Sequence, residues 1–186
     1  MKKFLKWLIV VIPLLLLILF VILHPIISNT KEEEVKVNTK EFTTKDGRVV
    51  FTAAETFKSS EKGDYDLYLN HKDTQIIGVF TYTLQGYVEN TSRQILDKQI
   101  NYFIEKRKNM KLFKKETTID MEDKIITKVE YSDKNDKNVD CVFVFSTIDF
   151  KADNNYTVYV NEMLLKQDYE DKISEMIDIL ESAKLK

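Results

Sequence analysis

Hydrophobic residues follow three rhythms along this chain. The first is continuous: Trp7 to Leu23 runs seventeen residues without a charge, and His24, Pro25, Ile26 and Ile27 extend it before Ser28, Asn29 and Thr30 turn polar. At 1.5 Å per residue this stretch spans about 25 to 31 Å, enough to cross a hydrocarbon core of about 30 Å. Pro13 would kink such a helix in a bilayer without breaking it.

The second rhythm alternates. Asp46-Gly47 makes a turn ahead of a β-prone run from Val49 to Phe57, and Ser59 to Gly63 follows as a polar loop. Tyr65 to Leu69 and Ile76 to Leu84 predict two strands joined through His71-Lys72-Asp73-Thr74. Further strands are predicted at Thr117 to Met121, Lys124 to Tyr131, Cys141 to Phe150 and Tyr156 to Leu164, with Asp133 to Asn138 and Asp153-Asn154-Asn155 as hairpin turns. In Cys141 to Phe150, Cys141, Phe143 and Phe145 point one way and Val142, Val144 and Ile148 the other, so the strand is covered on both faces.

The third rhythm is helical. Ile95, Leu96, Ile100, Phe103 and Ile104 recur on one helix face within Thr91 to Met110, with Thr91 and Gln94 as a capping pair. Tyr169, Ile173, Met176, Ile177, Leu180 and Lys184 share a face of a closing helix. Three strands, a helix, four strands and a helix, with short hairpin links, predict an α+β domain: a mostly antiparallel sheet of six or seven strands with two main helices. The N-terminal transmembrane helix is additional.

This order resembles the PsbP-like fold, named for an extrinsic photosystem protein and found in bacterial envelope proteins such as the DcrB-type lipoproteins. The resembling parts are Asp46-Gly47 to Phe57, Ile76 to Leu84, the helix from Ser92, the hairpin Cys141 to Leu164, and the ending Ile179-Leu180-Glu181-Ser182-Ala183-Lys184. They cover about residues 46 to 184. The resemblance implies an accessory or binding role in a complex at a membrane surface and carries over no catalytic residues.

Charge gives the chain a direction. Lys2, Lys3 and Lys6 precede the apolar run and Glu32, Glu33 and Glu34 follow it, so the positive-inside rule predicts residues 1–6 in the cytoplasm and the rest outside. Cleavage of the segment as a secretory signal needs small residues before the cut, and Ile26 beside Ser28 fits poorly. The expected organisation is a signal anchor at 7–27 in the lipid bilayer, a charged, Thr-rich tether at 28–45 and an extracytoplasmic domain at 46–186. Six cytoplasmic residues leave no room for a signalling output. The Lys-, Ile- and Asn-rich usage points to an AT-rich bacterial genome.

Of 28 lysines and arginines, three precede residue 31, leaving 25 against 30 acids in the outer part, a net −5. That balance speaks against nucleic acid as a partner. Cys141 is the one cysteine, which excludes an intramolecular disulfide and a thiolate metal cluster and, set in an apolar run, reads as a buried, inert thiol. His71, in a turn, reads as an exposed turn residue; a Cys141–His71 dyad is the alternative. Asp133 to Asp140 has the density of a calcium loop, but Asn138 stands where the glycine belongs and Val144 where the bidentate glutamate belongs, so a hairpin loop explains it equally well.

No catalytic, cofactor-binding or metal-binding residue emerges, and no cofactor is expected. The sequence therefore predicts a non-enzymatic binding or accessory protein of the cell envelope, with a protein or envelope component as partner. Thr81, Tyr82, Tyr156 and Tyr159 form a candidate surface, with ordinary sheet packing the competing explanation. The alternatives are an envelope-directed hydrolase with carboxylate chemistry and a ligand-sensing domain acting through another protein.

Overall fold

The structure, a computed structural model, describes residues 37–84, 91–107 and 109–186. The predicted membrane segment at 7–27 and cytoplasmic residues 1–6 lie outside the described residues; among those described, no helix is long and apolar enough to cross a membrane.

Residues 38–186 form one compact unit. In chain order its elements are β1 (Thr39–Thr43), β2 (Val49–Ala54), β3 (Lys58–Ser59), β4 (Leu67–His71), β5 (Gln75–Thr83), α1 (Ser92–Lys106), β6 (Lys111–Asp120), β7 (Lys124–Lys134), β8 (Asp140–Phe150), β9 (Tyr156–Leu165), a 3-10 turn at Lys166–Asp168, α2 (Tyr169–Glu181) and β10 (Lys184–Leu185). Seven strands make the main sheet in the order β3-β4-β5-β9-β8-β7-β6, and three make a small sheet in the order β1-β2-β10. Every pairing is antiparallel. The α+β fold, its antiparallel sheet and its two helices match the sequence reading.

The centre of the main sheet follows from period-2 alternation. Val142, Val144 and Ile148 of β8 join Val158, Val160 and Leu164 of β9 in one core, sealed by the small sheet and by Tyr169, Met176, Ile179 and Leu180 of α2. Cys141, Phe143 and Phe145 turn to the opposite face and pack with Tyr159 under Ile95, Leu96 and Ile100 of α1. Burial of such side chains contributes about 1.5–3 kcal/mol each against exposure.

Several expectations shift at the margins. Thr39–Thr43, read as tether, is β1: it pairs with β2 from Thr39–Ala54 to Thr43–Val50 and buries Phe42. One apolar residue among polar ones leaves such a strand almost silent in the sequence, because the partner strand supplies its stability. The closing helix stops at Glu181, where the Ser182 hydroxyl caps it by donating to the Ile179 carbonyl (2.7 Å) and also accepts from the Thr52 amide (2.8 Å). Lys184, read as helical, belongs to β10 against Val50. The buried face of α2 includes Ile179, while Ile177 is half-buried; on α1 Ile104 is 39% exposed.

Turn chemistry sets the hairpins. Lys72 and Asp73 both have positive φ, 52° and 59°, within the three-residue β4–β5 link, where the Thr74 amide donates to the His71 carbonyl (3.0 Å). At Asp153-Asn154-Asn155 the turn is held instead by the Asn155 amide donating to Asp153 Oδ1 (3.1 Å), without left-handed angles.

Candidate functional site

Helix α1 starts at one end of the main sheet, where Ser92 donates to Asp149 (2.7 Å), and its N-cap Thr91 accepts from the Gln94 amide (3.2 Å). It lies over β8 and β9 and ends at Arg107 beside the β7–β8 hairpin. The neighbouring strands β4 and β5 are not covered by the helix in the same way. Their face on the α1 side, near the β4–β5 turn, opens into a groove of about 600 Å3.

The floor of the groove is aromatic and carboxamide-rich. Gly78 makes it possible: a Cβ there would overlap the Tyr65 ring and Asn161 Oδ1. Without that atom Tyr65 lies against the strand, 4.6 Å from Phe80 and 5.4 Å from Tyr68 between ring centroids. Tyr159 continues the aromatic row 6.0 Å from Phe80, with its hydroxyl buried beside Asn161 and lacking a well-formed hydrogen bond; burial raises its pKa well above the ordinary tyrosine value.

The walls are charged and already paired. The Arg107 guanidinium stacks on Phe143 (4.8 Å), donates to the Lys134 carbonyl (2.8 Å) and meets Asp136 (3.2 Å). Across the groove Lys62 donates to the Tyr68 hydroxyl (2.9 Å), which raises the ammonium pKa. Lys137 reaches Asp73 (3.5 Å), whose pKa is lowered first by its bond from Asn70 and then by Lys137. The carboxylates stand at the rim, Asp73 65% and Asp136 94% exposed, whereas Arg107 is 23% exposed.

The sequence-predicted positions fall as follows. Cys141 is fully buried, its thiol directed to the Val139 carbonyl (3.4 Å) and its pKa raised by burial, as expected of an inert thiol. His71 packs on Phe57 (5.4 Å) on the opposite face of the sheet from Cys141, so the two do not form a dyad. Thr81 and Tyr156 lie on one sheet face and Tyr82 and Tyr159 on the other. Thr81 donates to Asp66 (3.0 Å), Tyr156 to Asp46 (2.6 Å), and Tyr82 accepts from Gln99 (3.2 Å). They therefore make no common surface; sheet packing explains them.

In the Asp133 to Asp140 loop, Asn135 Oδ1 accepts from the amides of Lys137 and Val139 (both 3.0 Å), and Asn138 takes a positive φ of 62°. That is the bonding of a hairpin loop. No group of three or more potential metal ligands occurs among the described residues.

Two features escaped the sequence reading. Net charge over the whole outer part hid the run Lys106 to Lys115, which holds six cations and no acid. Glu162 is fully buried although its side chain is ionisable, on the face shared by Val158, Val160 and Leu164. Its place in that alternation was the available signal.

No family model matches the sequence, and no curated protein matches it. Among solved structures, the chain is similar to the solution structure of cyanobacterial PsbP (CyanoP) from Synechocystis sp. PCC 6803, at TM-score 0.59 and 7% identity over 83% of this chain and 96% of that one. It is also similar to the Ran-binding protein Mog1p of Saccharomyces cerevisiae, at TM-score 0.54 and 10% identity over 81% and 96% of the two chains. A third similarity is to LpqN, involved in cell envelope biogenesis of Mycobacterium tuberculosis, at TM-score 0.51 and 8% identity over 81% and 91%. The domain has a PsbP-like fold.

Proposed function

We propose that this chain is a non-enzymatic binding or accessory protein of the bacterial cell envelope, anchored by residues 7–27 with its N-terminus in the cytoplasm, whose outer domain receives a ligand in the groove between α1, β4 and β5. The observation that carries this reading is the groove itself: an open floor of Tyr65, Tyr68 and Phe143 with the carboxamides of Asn70 and Asn161, between walls whose charges are already paired. Rings and carboxamides offer broad contact and hydrogen bonding without a reactive group. A hydrolase draws less support because, of the acidic residues lining the groove, Asp73 and Asp136 stand at the rim in ion pairs, while Glu162 has its carboxyl buried. LpqN's involvement in envelope biogenesis is compatible with an accessory role.

Two measurements test the reading. The full chain should stay with the membrane fraction in alkaline carbonate, with the domain open to protease added outside intact cells. Amide-shift mapping of the labelled protein with soluble envelope components should move Asn70, Tyr65 and Asn161 signals together. Shifts confined to other surfaces would remove the groove from the proposal, and release by carbonate would remove the anchor.

A further inference from the structure

The strands of the main sheet run between two ends, and one of them gathers features that the groove does not use. The β4–β5 turn, the β7–β8 hairpin, the C-terminus of α1 and the start of β6 share this end, as the registers His71–Gln75, Lys134–Asp140 and Lys111–Ser132 require. The folded unit also begins there. The Asn38 carbonyl accepts from the Glu55 amide (2.9 Å), next to Thr56, which contacts His71 (3.4 Å).

The exposed apolar side chains of the domain collect at the same end. Among the described residues of 38–186 the large exposed hydrophobics are Tyr102 (54%), Ile104 (39%), Leu112 (53%) and Val139 (41%). Tyr102 and Ile104 lie in the last turns of α1, on opposite flanks. Tyr102 is three residues beyond Gln99, which bonds Tyr82 of β5, and Ile104 is eleven beyond Arg93, which pairs with Glu116 of β6. Leu112 opens β6 and Val139 closes the β7–β8 hairpin. Nothing in the core explains their exposure.

Charge accompanies them. The basic run Lys106 to Lys115 follows Tyr102 and Ile104 in the sequence and includes Leu112, with Lys106 in the last turn of α1 and Lys111 at the start of β6. The β7–β8 hairpin is not basic, since Lys134 and Lys137 are outnumbered by Asp133, Asp136 and Asp140, so its contribution is the apolar Val139. Aromatic and aliphatic side chains interleaved with lysines match the interface of a bilayer with anionic headgroups: rings and aliphatic chains enter the headgroup region while ammonium groups meet lipid phosphates.

We propose that this end of the domain docks on an anionic lipid bilayer, with Tyr102, Ile104, Leu112 and Val139 entering the interface and Lys106 and Lys111 contacting lipid phosphate. The proposal rests on the reading of residues 7–27 as an anchor in one respect. Ten residues, 28–37, separate that segment from Asn38, a reach of at most about 35 Å, so an anchored chain delivers this end within reach of the bilayer. Docking then presents the groove, which opens at the same end, to ligands held at the membrane surface.

Vesicle binding of residues 38–186, a unit with its own core and both sheets, tests docking apart from anchoring. The domain should co-sediment with vesicles of phosphatidylcholine and phosphatidylglycerol at a 7:3 ratio and far less with phosphatidylcholine alone, and 0.5 M salt should release it. Lys106→Glu with Lys111→Glu should weaken binding at least tenfold, since each surface cation contributes about five-fold. Tyr102→Ser with Leu112→Ser should weaken it without altering the salt dependence, and unchanged melting temperatures confirm that the variants fold. Equal binding to neutral vesicles, or no binding, overturns the proposal. So does tighter binding to a soluble polyanion such as heparin or RNA than to the vesicles. Asn161→Leu, which alters the groove, should leave vesicle binding intact, so failure of the groove reading and failure of docking give different results.

Discussion

Glu130 of β7 and Glu162 of β9 lie on the same face of the main sheet, one on each side of Val144 of β8, with which both are in register. Their burial differs little, but their partners differ. Glu130 takes Lys128 Nζ at 2.6 Å and the Tyr169 hydroxyl at 2.5 Å. Both carboxylate oxygens of Glu162 are without a hydrogen-bond partner. Burial drives the Glu162 pKa well above its ordinary 4.5; Lys128 opposes the shift and Glu130 adds to it. Burial thus favours the neutral acid at Glu162 over the carboxylate.

This arrangement ties stability to pH. A carboxyl whose folded pKa is raised contributes stability that is fully present below its unfolded value and is lost as pH rises through the folded value. Urea unfolding should therefore show stability falling as pH rises from the ordinary carboxyl value of 4.5 towards the raised folded one. Glu162→Gln should flatten that limb, and Glu162→Leu should add about 1–3 kcal/mol at pH 8 by removing the unpartnered carboxyl. An unchanged pH slope in Glu162→Gln would show that another group controls it.

Lys128→Met should be among the most damaging single changes. It leaves Glu130 buried with one partner fewer and takes from Glu162 the one cation that favours its ionised form. A loss of about 3–5 kcal/mol in equilibrium unfolding is expected, the range for stranding a buried charge.

Gly78→Ala should disturb the groove more than the fold. The added methyl displaces the Tyr65 ring and Asn161, so ligand-induced stabilisation should disappear while unfolding free energy drops by about 1–3 kcal/mol. Tyr65→Ala in the same background should recover part of the stability, because the clash is with that ring.

Acid stability should depend on Asp46. Burial raises its pKa, but hydrogen bonds from Thr44 (2.6 Å), Tyr156 (2.6 Å) and the Arg48 amide (3.1 Å), with the Arg48 charge, outweigh it and hold the carboxyl below its ordinary 3.8. A depressed folded pKa contributes stability that is present above the unfolded value and is lost as pH falls through the folded one. Asp46→Asn should lower stability at pH 6 and flatten the profile as pH falls below the ordinary value of 3.8. A parallel loss at every pH would assign the effect to packing alone.

The strands β5, β7, β8 and β9 and both helices could be read from local pattern, since two-residue and 3.6-residue spacings report which face meets a core. β1 could not: Thr39–Thr43 offers Phe42 alone, and its pairing with Val50 to Ala54 is a property of the partner strand. Glu162 occupies an apolar face in a period that was legible, yet whether a carboxyl there is paired depends on Lys128, thirty-four residues earlier. The groove escaped altogether, because Lys62, Tyr65, Asn70, Gly78, Arg107, Asn135 and Asn161 come from separate segments.

By itself, then, the sequence determined the α+β class, the two-sided burial of β8 and the inert setting of Cys141, all of which follow from near-neighbour spacing in a chain whose apolar side chains must leave water. The tertiary structure alone decided which faces remain open, because that depends on how far α1 reaches across β8 and β9 and leaves β4 and β5 uncovered. It also decided that Tyr102, Ile104, Leu112 and Val139 share one end. Their positions in the sequence span thirty-eight residues, and strand register together with the end of α1 beside the β7–β8 hairpin brings them to one end.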